Sequence, residues 1–237
     1  IEIDCRWEPD RLDSALVELP ESVQQRAARY LVAGARRNLI ATQAVLRALL
    51  RFLNLEEERL TACPNGRPML EGRDFAFNLS HSETRAVLGV SRDSRLKQCL
   101  GVDLEWVNRR VDRQALAKRF FTQRESELVL ADPGSGRFFQ IWTRKEAILK
   151  TNGVGLRVPL DSFEVLTDDV SPEAIGRPLR LRTEVRPADY TVSWAVPTEC
   201  AEQSVSWVAS DQDDWLPPPV DQLDPAVRKF FRLSDEG

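Results

Sequence analysis

Apolar residues recur along this chain with two periods, and the periods divide it into elements. Between Ala35 and Leu53 the residues Leu39, Ile40, Ala44, Leu46, Leu49, Leu50 and Leu53 return every three to four positions, which predicts a long core-facing helix with Arg36, Arg37 and Asn38 at its first turn. Ahead of it lie a strand at Ile1–Trp7, a short helix within Pro9–Leu19 and another from Pro20 toward Tyr30, Pro20 suiting a helix opening. Beyond the acidic run Glu56–Glu58 come a short strand and a turn at Pro64-Asn65-Gly66. Two strands follow, Phe75–Leu79 and Ala86–Val90, joined by a polar link Ser80–Thr84, and Arg92–Lys97 reads as a solvated loop.

A second series opens at Gly101–Glu105, a strand leading into a basic helical region that runs to Phe121. Thr122 caps the next helix with Glu125 as its capping-box partner, and Pro133–Gly136 breaks the chain. From Phe138 a helical period places Ile141, Ala147 and Ile148 on one face, and Gly153 and Gly155 follow where such a helix stops. Strands are expected near Phe163–Leu166, Leu179–Thr183, Tyr190–Val196 and Val205–Val208. From Asp211 the sequence is acidic and carries Pro217-Pro218-Pro219; it reads as an appended tail, with room for a turn of helix at Val227–Leu233. Both series run in one order: a leading strand, short helices, one long helix, then antiparallel strands. That order predicts an α+β fold of two similar halves, residues 1–100 and 101–210, followed by the tail 211–237, with a cleft between the halves as the natural place for a site.

Composition narrows the classes. With 237 residues the chain can bury a core of one large or two small domains, and 42% hydrophobic with 30% charged residues is ordinary for a soluble protein. A net charge of −4 excludes general attraction to nucleic acid or anionic membrane, so any anion site has to be a local cluster. No apolar run approaches the length of a membrane span, nothing at the start resembles a signal peptide, and the opening on Ile1 rather than Met points to a few residues upstream. Cys5, Cys63, Cys99 and Cys200 form no CxxC pair and have a single His to join them, which argues against zinc and suits a reducing cytoplasm.

Asp103 and Glu105, two apart on a strand, point to one face, with Val102 and Leu104 on the other. Glu146 and Lys150, four apart on a helix, also share a side, with Trp142 one turn earlier. The ordinary readings are a solvated strand edge and a surface ion pair. Three carboxylates without His or Cys otherwise make a hard oxygen site suited to Mg²⁺ or Mn²⁺, which commonly share substrate phosphates. His81, the single histidine, stands between Ser80 and Ser82; Arg67 lies on a turn, and Arg37-Asn38 sits at a helix start where anions are favoured. Each also has an ordinary structural reading.

GVDLE at Gly101–Glu105 and WTRKEAILKTNGVGL at Trp142–Leu156 together resemble the 4′-phosphopantetheinyl transferase family. GRP at Gly66–Pro68, FNLSHS at Phe77–Ser82 and RFFTQRE at Arg119–Glu125 match in order, and the length resembles the larger, Sfp-type class rather than the small trimeric synthases. The resemblance implies two α+β halves related by pseudo-twofold symmetry, each a long helix on a small antiparallel sheet, in a monomeric chain with coenzyme A between them. It implies Mg²⁺ held by Asp103, Glu105 and Glu146, and Lys150 on phosphate. It also implies Ser80 and His81 on the coenzyme, and Arg67, Arg37 and Asn38 toward the adenosine 3′-phosphate or adenine. Glu125 matches a family acid near the cleft. The implied reaction moves the phosphopantetheine arm to a serine of an apo acyl or peptidyl carrier protein, with Glu146 as base and Arg109, Arg110, Arg113 and Arg119 available to steer an acidic partner. Ser22 and Gln25 stand where some members carry basic residues. The rival readings are another Mg²⁺-dependent phosphoryl or nucleotidyl enzyme, for which no GxxxxGK[ST] loop is present, and a non-catalytic binding module.

Overall fold

The computed structural model describes residues 1–55, 60–62, 67–71, 75–91, 93–96, 99–153, 157–200 and 209–210. The Glu56–Glu58 run, the Pro64–Gly66 turn, Gly155, the Val205–Val208 strand and the tail from Asp211 lie outside them. The chain runs β1 (Glu2–Asp4), α1 (Pro9–Glu18), α2 (Glu21–Ala28), α3 (Ala33–Phe52), β2 (Leu60–Ala62), β3 (Pro68–Leu70), β4 (Ala76–Ser82) and β5 (Arg85–Ser91). It continues with β6 (Gly101–Trp106), α4 (Arg113–Phe120), α5 (Gln123–Ala131), α6 (Arg137–Asn152), β7 (Asp169–Val170), β8 (Leu179–Arg186), β9 (Tyr190–Pro197) and β10 (Ala209–Ser210). This is the expected mixture of helices and small antiparallel sheets. No described helix is long and apolar enough to cross a membrane.

Two four-stranded sheets carry the fold, in the orders β10-β1-β5-β4 and β6-β9-β8-β7. In each, the leading strand pairs antiparallel with the last strand of a hairpin. The helix α3 buries Val45, Leu46, Leu49 and Leu50 against Ile3, Phe77 and Leu88 of the first sheet. Likewise α6 buries Ile141, Ala147, Ile148 and Leu149 with Leu181 and Ala195 of the second. A smaller shared core of Val87, Val102, Leu104, Tyr190 and Val192 joins the sheets. The parallel pairing of Ala209–Ser210 with β1 returns the chain to the first sheet.

Three local expectations are corrected. The long helix opens at Ala33 rather than Ala35, so Arg37 and Asn38 stand in its second turn and not at its start. Ser80–Thr84 is not a link: the strand continues through Ser82, and Glu83-Thr84 alone make the turn, with Ser82 opposite Arg85 and Glu83 in the left-handed region at φ 51°. The polar residues Asn78, Ser80 and Ser82 alternate because one face of β4 meets another strand, so their polarity does not mark a loop. Phe163–Leu166 is not a strand either. Its backbone is satisfied by side chains: Phe163 O accepts from Lys145 Nζ at 2.5 Å, and Val165 N donates to Glu125 Oε1 at 2.8 Å.

Candidate active site

The site grows from β6. Gly101, Asp103 and Glu105 face α6, and Val102 and Leu104 turn to the shared core. Gly101 is required by packing: a Cβ there would lie 1.9 Å from Ala147 O, inside the backbone of α6. That close approach brings the last turns of α6, with Glu146 and Lys150, over the two acids of β6. The helix ends at Gly153, whose φ of 70° supplies the left-handed cap that its sequence position suggests.

Opposite stands β4. Ser80 Oγ donates to Asp103 Oδ1 at 2.8 Å and Ser82 Oγ to Glu105 Oε2 at 2.7 Å. Lys150 Nζ reaches Asp103 Oδ1 at 2.7 Å, Ser80 Oγ at 2.9 Å and Val102 O at 3.1 Å, so the i,i+4 surface pair with Glu146 is not its main engagement. Asp103 is 5% exposed, and its other oxygen, Oδ2, is buried with no hydrogen-bond partner among the described residues. Burial pushes the Glu146 carboxyl up to about 7, Asp103 adds to that, Lys150 opposes it, and Glu105 raises it further. Burial likewise raises Glu105, against the Ser82 hydrogen bond that lowers it. Three carboxylates thus share one neighbourhood with one ammonium.

Among the described residues no three His, Cys, Asp or Glu side chains stand ready-made as a metal cage. The donor set nevertheless fits a hard divalent cation: it is all oxygen, carries excess negative charge and leaves Asp103 Oδ2 orphaned.

His81 is accessible to solvent beside the site, yet the protein packed around its ring still desolvates it enough to lower its pKa; Lys150 lowers it further, Asp103 opposes that, and Arg26 adds a smaller push down. Arg67 is committed to backbone: it donates to Lys150 O and Thr151 O at 2.9 Å, Leu100 O at 2.7 Å and Phe77 O at 3.4 Å, tying the end of α6 to both sheets. Asn38 holds the β4–β5 turn, its Nδ2 donating to Glu83 O at 2.8 Å, while its Oδ1 and Arg37 Nε are buried without partners among the described residues. Trp142 packs with Phe120, Phe121 and Phe138 in the second core. Arg113 is partly structural, donating to Val107 O at 2.6 Å.

Sequence reading passed over Lys145. It is fully buried, pairs with the equally buried Glu125 at 2.8 Å, and donates to Leu160 O and Phe163 O. Burial pushes its ammonium down and Glu125 counters that. Its spacing from Ile141 and Ile148, inside the apolar arc of α6, is the signal that marks it as interior. Glu125 also closes the capping box with Thr122, so the acid that the resemblance sets near a cleft is buried and anchored in structure. Arg26, out of step with the basic positions of the family pattern, nevertheless lies near enough to His81 to act on it, and Ser82, read only as a flanking hydroxyl, bonds Glu105.

Comparison with known proteins gives a consistent picture. Residues 99–199 match the model of the 4′-phosphopantetheinyl transferase superfamily. The chain is 32% identical over 177 residues to the 4′-phosphopantetheinyl transferase HetI of Nostoc sp., covering 69% of this chain and 73% of that one. It is 30% identical to the 4′-phosphopantetheinyl transferase gsp of Aneurinibacillus migulanus, over 59% of this chain and 58% of the relative. With Sfp of Bacillus subtilis the identity is 30%, over 62% of this chain and 65% of the relative; the latter two are therefore spanned over less than two thirds of their length. A holo-acyl-carrier-protein synthase structure from Thermotoga maritima aligns at TM-score 0.33 and 20% identity, over 42% of this chain and 62% of that one, too distant to carry an argument.

Proposed function

Because the chain belongs to the 4′-phosphopantetheinyl transferase superfamily, we propose that it transfers the 4′-phosphopantetheine arm of coenzyme A to a serine of an apo acyl or peptidyl carrier protein. The observation that carries this reading is the cluster at the seam of the two sheets. Asp103, Lys150 and Ser80 are hydrogen-bonded together, Glu105 and Glu146 lie alongside, and Asp103 Oδ2 is left without a partner among the described residues.

In the proposed reaction the serine oxygen bonds to the β-phosphorus of the coenzyme pyrophosphate. The bond from that phosphorus to the bridging oxygen breaks, and adenosine 3′,5′-bisphosphate leaves with the electron pair. The serine proton passes to Glu146, directly or through a water. Lys150 faces the phosphoryl oxygens, and Ser80 and Asp103 fix the direction of its ammonium. Mg²⁺, or Mn²⁺, held by Asp103, Glu105 and Glu146, would neutralise charge on the pyrophosphate. The resemblance would set His81 near the 3′-phosphate, and Arg67, Arg37 and Asn38 toward the 3′-phosphate or adenine; the nearness of Arg26 to His81 supports an anion there. The protein's task is alignment and charge neutralisation, as phosphoryl transfer requires.

The same reading makes residues 1–100 and 101–210 two pseudo-twofold halves of a cytoplasmic monomer, supported by their matching strand connectivity. The exposed Arg109, Arg110 and Arg119 would steer an acidic carrier. Intact-mass analysis of apo carriers incubated with the protein, coenzyme A and Mg²⁺ tests the proposal: one added phosphopantetheine supports it, and unchanged mass across fatty-acid, polyketide and peptide carriers rejects it.

A further inference from the structure

Side chains, rather than a backbone ladder, bridge β4 and β6. Asn78 Oδ1 accepts from Val102 N at 2.9 Å, and Ser82 Oγ accepts from Trp106 N at 3.1 Å. Ser80 and Ser82 each hold a carboxylate of β6. Ser82 is the residue that does both. A hydroxyl has one proton to give and two lone pairs to offer, so accepting from the Trp106 amide restricts where its own proton points. That proton goes to Glu105 Oε2 at 2.7 Å, and at 5% exposure the hydroxyl has little water to compete for it. Arg109, half exposed, makes a weaker contact with the Glu105 carboxylate, reaching Oε1 at 3.4 Å.

We propose that Ser82 is a positioning residue that holds the Glu105 carboxylate in place for the divalent cation of the transfer site. The hydroxyl belongs to the first sheet and the carboxylate to the second, so cation affinity depends on a bond made across the seam. This inference rests on reading Asp103, Glu105 and Glu146 as the cation's holders. Hydrogen-bond partners of metal-ligating groups are commonly worth about 10–100-fold in affinity.

The test titrates the metal-free full chain with Mn²⁺, reading free ion by electron paramagnetic resonance, with circular dichroism and melting temperature alongside. Ser82→Ala should bind Mn²⁺ at least ~10-fold more weakly than wild type, while Ser82→Thr, which keeps the hydroxyl, should stay within ~3-fold. Ser82→Ala also strips the Trp106 amide of its acceptor, so Ser82→Cys is measured beside it. The thiol is a weaker donor than the hydroxyl, and its affinity should fall between the other two. A folded Ser82→Ala or Ser82→Cys with wild-type Mn²⁺ affinity overturns this inference alone. A wild-type chain that binds no Mn²⁺ overturns the cation reading and this inference with it.

Discussion

Replacing Gly101 by alanine tests the packing that builds the site. The added Cβ would stand 1.9 Å from Ala147 O, and 3.0 Å from both Ala147 C and Thr151 N. Ordinary contact begins at 3.4 Å, so α6 must withdraw from β6 by about 1.5 Å or both must distort. No rotamer relieves this, because every obstacle is backbone. The helix is also fastened on three sides: Lys150 to Asp103, Arg67 to the carbonyls of Lys150 and Thr151, and Lys145 to Glu125. Overpacking costs about 1–3 kcal/mol, and the rigidity here puts Gly101→Ala at the upper end. At this chain length that lowers the melting temperature by roughly 6–12 °C. Glu146 and Lys150 ride on the displaced helix, so transfer should fall about 100-fold, the usual consequence of an ångström's misplacement. Thermal denaturation and initial rates on an apo carrier check both numbers. A variant melting within about 2 °C of wild type at an unchanged rate would refute the packing argument.

Other substitutions address the interior and the pH response. Lys145→Met leaves the buried Glu125 carboxylate without its cation and should cost about 3–5 kcal/mol in denaturant unfolding; the double variant Glu125→Leu/Lys145→Met, with no charge left to bury, should be less destabilised than Lys145→Met alone. Glu146 holds its proton to about pH 7 in the folded chain against the usual 4.5. Its contribution to the stability of the metal-free protein is therefore present below about 4.5 and lost as pH rises through about 7, and Glu146→Gln should flatten melting temperature against pH across that window. In transfer, where the proposed cation would bear on the same carboxylate, Glu146→Gln should cut the rate at least ~100-fold at fixed pH; an unchanged rate contradicts the role.

Much of this was legible in the sequence because the signals were periodic or local. The apolar period gave α3 and α6, and the Thr122–Glu125 capping box forms as its spacing suggests. Asp103, Glu105, Glu146 and Lys150 are brought to one neighbourhood by β6 and α6. What escaped was set by distant partners. The polar alternation of Asn78, Ser80 and Ser82 resembles a loop until β6 lies beside it. Phe163–Leu166 has the composition of a strand, yet its backbone bonds go to Lys145 and Glu125, residues with no local signal for that use. Arg67, which the resemblance sets toward the adenosine 3′-phosphate or adenine, also donates to four carbonyls across the seam, contacts that only the tertiary fold supplies.

The most direct measurement is the rate at which an apo carrier gains phosphopantetheine mass with coenzyme A and Mg²⁺, wild type against a folded Asp103→Ala. Asp103 is where Ser80, Lys150 and an unpartnered oxygen meet, and losing one electrostatic group of a transfer site costs about 100-fold or more. The account predicts a wild-type rate at least ~100-fold above the variant's, abolished by chelation of the metal. Equal rates in the two proteins would contradict it.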